Sequence, residues 1–119
     1  MYGTAQPGLK LAKRQVGNLT IFDLQGDFDS RTAATAKERI RAAIEEGSDC
    51  ILVNLEGVHY IDSAGPGSLV SALKAISERG GVICLSCVTD QVRMVIELTR
   101  LDRVFTVYDS VETAIARLT

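Results

Sequence analysis

The chain predicts a single α/β domain: a mainly parallel central sheet with an N-terminal antiparallel hairpin at one edge and about four helices packed on it. Three features carry that expectation. Apolar runs of strand length, at Leu19–Leu24, Cys50–Leu55, Val82–Ser86 and Val104–Val107, alternate with stretches whose apolar residues recur at helical spacing. Strands separated by helices need crossover connections, which make neighbouring strands parallel. Gly17-Asn18, between two strand-like runs, is instead the signature of a tight hairpin. With 119 residues, the chain can bury one core without disulfides or metals but not a second.

Residues 1–8 are small and polar and are expected to form a flexible lead before a domain over 9–119. Leu9–Val16 and Leu19–Leu24 are the two strands of the hairpin. A helix follows, capped by Asp29 or Ser30, with Ala36, Ile40, Ala43 and Ile44 as its buried stripe and Gly47 at its C-terminal end. Later, Gly80-Gly81 stops a second helix, and Thr89 or Asp90 begins a third that carries Val92, Val95 and Ile96 on one side. Ser110 or the Asp109-x-x-Glu112 pair caps a last helix, with Val111, Ala114, Ile115 and Leu118 facing inward.

The stretch Val58–Leu69, where a buried strand gives way to a helix, is the candidate functional element. Ile51, Leu52, Val53 and Leu55 form the nearly continuous apolar run of a strand covered on both faces. Downstream, Leu69, Val70, Leu73 and Ile76 mark one face of a helix. Proline favours the first helical position and pushes the preceding residue out of the α region, so Gly65 is the expected N-cap of a helix Pro66–Arg79. Asp62 and Ser63 then lie on the loop ahead of it, with the Ser63 hydroxyl free to face solvent. Backbone N–H groups and the positive end of a helix dipole favour added negative charge there, which suits a phosphate acceptor. The structural alternative is a turn serine bonded to its own backbone. Asp27 and Asp29 end a strand at the same sheet edge, where they either cap the next helix or stand near the acceptor. That edge, at the carboxyl ends of the strands, is where open sheets of this type bind ligands and partners.

Composition and motifs exclude several other functions. The formal net charge is −2 with mixed signs along the chain, without the clustered basic surface of a nucleic-acid binder. No apolar run is long enough to span a bilayer and the N-terminus lacks the build of a signal peptide, so a cytoplasmic location without membrane insertion is expected. Cys50, Cys84 and Cys87 lie in or beside apolar runs, as reduced core thiols do. Cys84 begins a C-x-x-C, but within a strand rather than at the helix N-terminus that would activate it. One histidine leaves no ligand set for zinc, so no metal is expected. His59 and Asp62 flank Ser63 too closely for a triad, and no G-x-S-x-G elbow surrounds it. Gly65-Pro66-Gly67 has no lysine before Lys74, so it is no P-loop, and no cofactor is implied.

Asn54-Leu55-Glu56 followed by Tyr60-Ile61-Asp62-Ser63-Ala64-Gly65 resembles the signature of the STAS domain, named for sulfate transporters and anti-sigma factor antagonists. Gly26-Asp27-Phe28-Asp29, Gly80-Gly81 before a strand and Leu101-Asp102-Arg103-Val104-Phe105 fit the same pattern, over about Leu9 to Leu118. The resemblance implies an anti-sigma factor antagonist, a non-catalytic switch that binds an anti-sigma factor acting as a serine kinase and is released by phosphorylation at Ser63. A serine phosphatase would reset it. Ala64 leaves Ser63 the only acceptor in the motif proper, with Ser68 nearby. The partner-binding face is expected over Asp62, Ser63, Ala64, Gly65, Pro66 and Gly67, continuing along Ser71 and Lys74, with Ser68, Ser77 and Glu78 on the same polar side of the helix. Asp27 and Asp29 would support the phosphosite. Two alternatives stay open: an unphosphorylated STAS scaffold, and a small cytoplasmic subunit of a lipid-transport ABC system. Monomer and weak dimer are both compatible with the sequence.

Overall fold

The computed structural model describes residues 8–119. The expected flexible lead therefore lies outside the described residues except for Gly8, whose carbonyl accepts a hydrogen bond from the Asp27 N–H. The chain runs β1 (Leu9–Val16), β2 (Leu19–Phe28), α1 (Ala33–Glu45), β3 (Cys50–Ile61), α2 (Ala64–Ser77), β4 (Val82–Ser86), α3 (Asp90–Leu98), a 3₁₀ turn at Leu101–Arg103, β5 (Val107–Tyr108) and α4 (Val111–Leu118). The strands form one sheet in the order β1-β2-β3-β4-β5. The β1–β2 pair is antiparallel and the remaining pairs are parallel. Gly17, at φ 60°, supplies the left-handed residue that the two-residue hairpin needs.

Strand alternation divides the apolar residues between two cores. On β3, Ile51, Val53 and Leu55 point to the face packed by α1, α2 and α3, through Ala36, Ile40, Leu69, Ile76, Val92 and Ile96. Cys50 and Leu52 point to the other face, beside Leu19, Ile21 and Cys84, beneath Val111 and Ala114 of α4. Both faces of β3 are covered, which is why its first half is almost continuously apolar.

Several boundaries differ from the sequence expectations. β2 and β3 extend to Phe28 and Ile61, since parallel pairing continues as Asp27↔Tyr60 and Phe28↔Ile61 past two register irregularities. α1 begins at Ala33 after Thr32, so neither Asp29 nor Ser30 is its N-cap. The strand expected over Val104–Val107 is confined to Val107–Tyr108, so Val104–Thr106 lies outside it. Leu101 and Phe105 are drawn into the core, the Phe105 N–H bonds the Leu101 carbonyl at 2.9 Å, and Val104 is left exposed on the turn. Ser110 caps α4, its hydroxyl accepting from the Thr113 N–H at 3.0 Å, so the Asp109-x-x-Glu112 alternative falls away. On α2 the inner line is Leu69, Ala72 and Ile76, and Leu73, expected in the core, sits half-buried on its flank.

Burial pushes the Cys50 and Cys84 thiols up from their ordinary values, which disfavours thiolate chemistry. No helix among the described residues is long and apolar enough to cross a membrane.

Candidate functional site

The candidate site is the junction of β3 and α2 at the carboxyl edge of the sheet. α2 starts at Ala64, two residues earlier than the proline suggested, and Gly65 is not its N-cap. Asp62 does the capping. Its Oδ1 accepts from the Ala64 N–H at 2.9 Å, and its carbonyl accepts from the Gly65 N–H at 3.1 Å. Pro66 lies within the first turn, where its missing N–H leaves no intrahelical bond unmade. The first regular helical bond runs from the Gly67 N–H to the Ser63 carbonyl at 3.2 Å.

Ser63 therefore stands at the helix boundary, already helical at φ −64° and ψ −18°, and its side chain makes no capping bond. The residue is exposed. A hydroxyl that neither caps nor packs, at the positive end of a helix, is a group to which charge can be added without breaking anything in the fold.

The second carboxylate oxygen of Asp62 reaches across to the turn that precedes α1. Oδ2 accepts from the Ser30 N–H at 3.2 Å, while the Asp62 N–H reaches the Phe28 carbonyl at 3.4 Å. Gly65 completes the join, because a Cβ there would lie 2.9 Å from the Phe28 carbonyl oxygen and 3.0 Å from Ile61 Cγ1. The turn between β2 and α1 and the start of α2 are thus held as one surface.

Asp27, near the end of β2, and Asp29, just after it, lie at the same sheet edge, yet both carboxylates face Arg31. Asp29 is 5% exposed; its Oδ1 accepts from the Arg31 N–H at 2.9 Å and its Oδ2 from Arg31 Nη2 at 2.8 Å. Arg31 Nη2 also reaches Asp27 Oδ2 at 3.2 Å. The Arg31 guanidinium holds the Asp29 carboxyl below its ordinary value, its hydrogen bond outweighing desolvation. Thr32 Oγ1 closes the turn, donating to the Asp27 carbonyl at 2.8 Å and accepting from the Asp29 N–H at 3.0 Å. These acids hold the loop that presents Ser30, and their hydrogen bonds go to that loop rather than to Ser63.

The remaining expected site residues separate by burial. Ser63, Gly67 and Lys74 are exposed, with Ser71 and Ala64 half-buried beside them, and the spacing puts Ser63, Gly67, Ser71 and Lys74 along one face of α2. Gly65 and Pro66 are buried in the free chain, so they shape the face from beneath. Ser68 is also buried, donating to the Gly65 carbonyl at 2.8 Å, and is neither a surface contact nor a second accessible acceptor. Ser30 was not among the expected site residues. Nothing local marks it, because its partner is 32 positions away.

The STAS domain family model matches residues 10–114. The chain belongs to the STAS domain family. Among curated relatives, an anti-sigma-B factor antagonist from Staphylococcus aureus is 31% identical over 87 residues, covering 73% of this chain and 81% of that protein. A candidate anti-sigma factor antagonist from Thermotoga maritima is 37% identical over 71 residues, 60% of this chain. That match spans 63% of the relative's own length. The crystal structure of a candidate anti-sigma factor antagonist from Thermotoga maritima superposes with a TM-score of 0.83 at 28% identity, over 91% of this chain and 93% of that one. The STAS fold and the order of strands and helices are thus common to this chain and its solved neighbour.

Proposed function

We propose that this STAS domain is an anti-sigma factor antagonist, a protein-binding switch that regulates transcription and is not itself an enzyme. In the unphosphorylated state it binds an anti-sigma factor that is also a serine kinase. Phosphorylation at Ser63 releases it, and a serine phosphatase resets it, all in the cytoplasm. The observation that carries this reading is the exposed Ser63 hydroxyl, which is spared from capping because Asp62 supplies the cap. The names of the relatives supply the class of partner.

The chain offers only the nucleophilic oxygen. The kinase would bring ATP, Mg²⁺ and the base that takes the hydroxyl proton, since phosphoryl transfer is mostly positioning and charge stabilisation. The partner face is the Ser63 end of α2 and its outer side, with Asp62, Ala64, Gly67, Ser71 and Lys74 at the surface and Gly65 and Pro66 supporting it. Asp27 and Asp29 support the phosphosite indirectly, through the Arg31-bound turn that carries Ser30. A phosphoserine brings about −1.5 to −2 charges to a contact shaped for a neutral hydroxyl, with the Asp62 carboxylate beside it. No cofactor is needed by the chain itself.

The test is incubation with the anti-sigma factor kinases of the source organism and ATP, followed by intact mass and peptide mapping, with binding measured before and after. A single phosphate on Ser63 and loss of binding is the expected result. Binding that persists unchanged on phospho-Ser63 would sink the switch and favour an unphosphorylated scaffold.

A further inference from the structure

Between α1 and α2, an open groove of about 270 Å³ begins at the Ser63 end of the helix pair, lined by Ser30, Lys37, Ala64, Gly67 and Ser71 among others. Among the described residues that line it there is no carboxylate, and Lys37 is the one cation. Among the described residues Lys37 has no ion-pair partner, as is true of most of the cations; Lys13 and Arg14 are each paired once and Arg31 with both Asp27 and Asp29. Gly67 lines the groove, and a Cβ built there meets nothing within 4 Å, so a longer side chain at this position has open space to enter. Ala64, Gly67 and Ser71 belong both to this groove and to the face assigned above to the partner, so the two surfaces are continuous.

We propose that this groove receives an acidic side chain of the anti-sigma factor, paired with Lys37, so that the interface extends from α2 onto α1. The assignment rests on the proposed function and names the chemistry of its contact. Lys37 is a half-buried residue whose ammonium has no partner in the free chain, an unmatched charge that a carboxylate complements at the open groove. The same arrangement gives phosphorylation its leverage. Ser63 adjoins Ala64 at the mouth of the groove, so a phosphate there repels the incoming carboxylate at the point where it must enter.

The experiment measures affinity for the anti-sigma factor kinase of the source organism with wild type, Lys37→Met, Gly67→Gln and the control Lys10→Glu on β1, at low and high salt, with melting temperatures for each. Lys37→Met is expected to weaken binding by roughly tenfold at low salt, with the deficit shrinking at about 0.5 M salt as the ion pair is screened. Gly67→Gln fills the groove and weakens binding at both salts, and Lys10→Glu leaves binding near wild type. Wild-type affinity in both Lys37→Met and Gly67→Gln, with native melting temperatures, would overturn the groove while leaving the α2 face intact. A Lys37→Met deficit independent of salt would overturn the acidic occupant. Failure of wild type to bind any such kinase would instead overturn the proposed function itself.

Discussion

The backbone N–H of Ser30 donates to Asp62 Oδ2 at 3.2 Å, joining the turn between β2 and α1 to the start of α2 across 32 positions of sequence. The other oxygen of the same carboxylate caps α2 through the Ala64 N–H at 2.9 Å. One side chain therefore fixes both the helix that carries Ser63 and the neighbouring loop.

Asp62→Ala removes both bonds, and loss of a helix cap of this kind costs about 0.5–2 kcal/mol. The melting temperature should fall by about 4 °C per kcal/mol lost. Asp62→Asn keeps an acceptor for the Ala64 N–H and should lose less. Urea titrations of the three proteins check the order; equal midpoints would show that the carboxylate is not holding the two elements.

Ser63→Asp places a negative charge at the start of α2, which is stabilising by about 0.3–1 kcal/mol where it acts. The circular dichroism should stay native and the melting temperature should not fall. Binding should nevertheless drop, and a loss of about 3 kcal/mol would be roughly a hundredfold in Kd. Ser63→Ala should bind constitutively. Calorimetric titration of both variants against the kinase separates these outcomes, and a Ser63→Asp that binds as well as Ser63→Ala would count against charge as the release signal.

Leu69 is 1% exposed at the centre of the α2 inner face, whereas Leu73 is half-buried on its flank. Leu69→Ala should cost about 2–5 kcal/mol, as buried leucine truncations do, and Leu73→Ala clearly less. Thermal melts of the pair test the helix rotation. A larger loss at Leu73 would mean that α2 is rotated by about 40° about its axis relative to the sheet.

The Asp29 carboxyl is held below its ordinary value of 3.8, first by the side-chain hydrogen bond from Arg31. A lowered folded-state pKa means that the folded protein binds this proton less readily than the unfolded chain. The stability it contributes is therefore fully present above pH 3.8 and is lost as pH falls below that value through the lower folded one. Asp23 acts in the same direction. Burial pushes it up, but hydrogen bonds from Arg14 and Asn54 outweigh that and leave it lowered. Acid titration of Asp29→Asn, followed by circular dichroism, should show a shallower loss of stability over that window than wild type. Parallel curves would mean that the Arg31 contact does not favour the charged form.

Much of the fold could be read from local pattern, because strand and helix periods report burial directly. The run Ile51–Leu55, the Gly17-Asn18 turn and the stripe Ala36, Ile40, Ala43 and Ile44 each encode the faces that pack against them. So does the position of Ser63 at a strand-to-helix junction on the carboxyl edge of the sheet.

What the chain could not encode locally was decided by contacts distant in sequence. Pro66 alone suggested a helix beginning with itself, but Asp62 caps an earlier turn because its carboxylate is also tied to Ser30. Ser68 reads as one more polar residue on an outer face, yet packing turns it inward onto the Gly65 carbonyl. The acids of the Gly26–Asp29 stretch read as helix caps or phosphosite neighbours, and it is Arg31 that takes up their charge. The sequence by itself determined the alternation of strand and helix, the covered central strand and the serine at the junction, since each depends on side-chain period and backbone restriction within a few residues. The tertiary structure alone decided which hydroxyl stays free, which acid caps and which surfaces join, because those follow from hydrogen bonds and close approaches between segments some thirty residues apart.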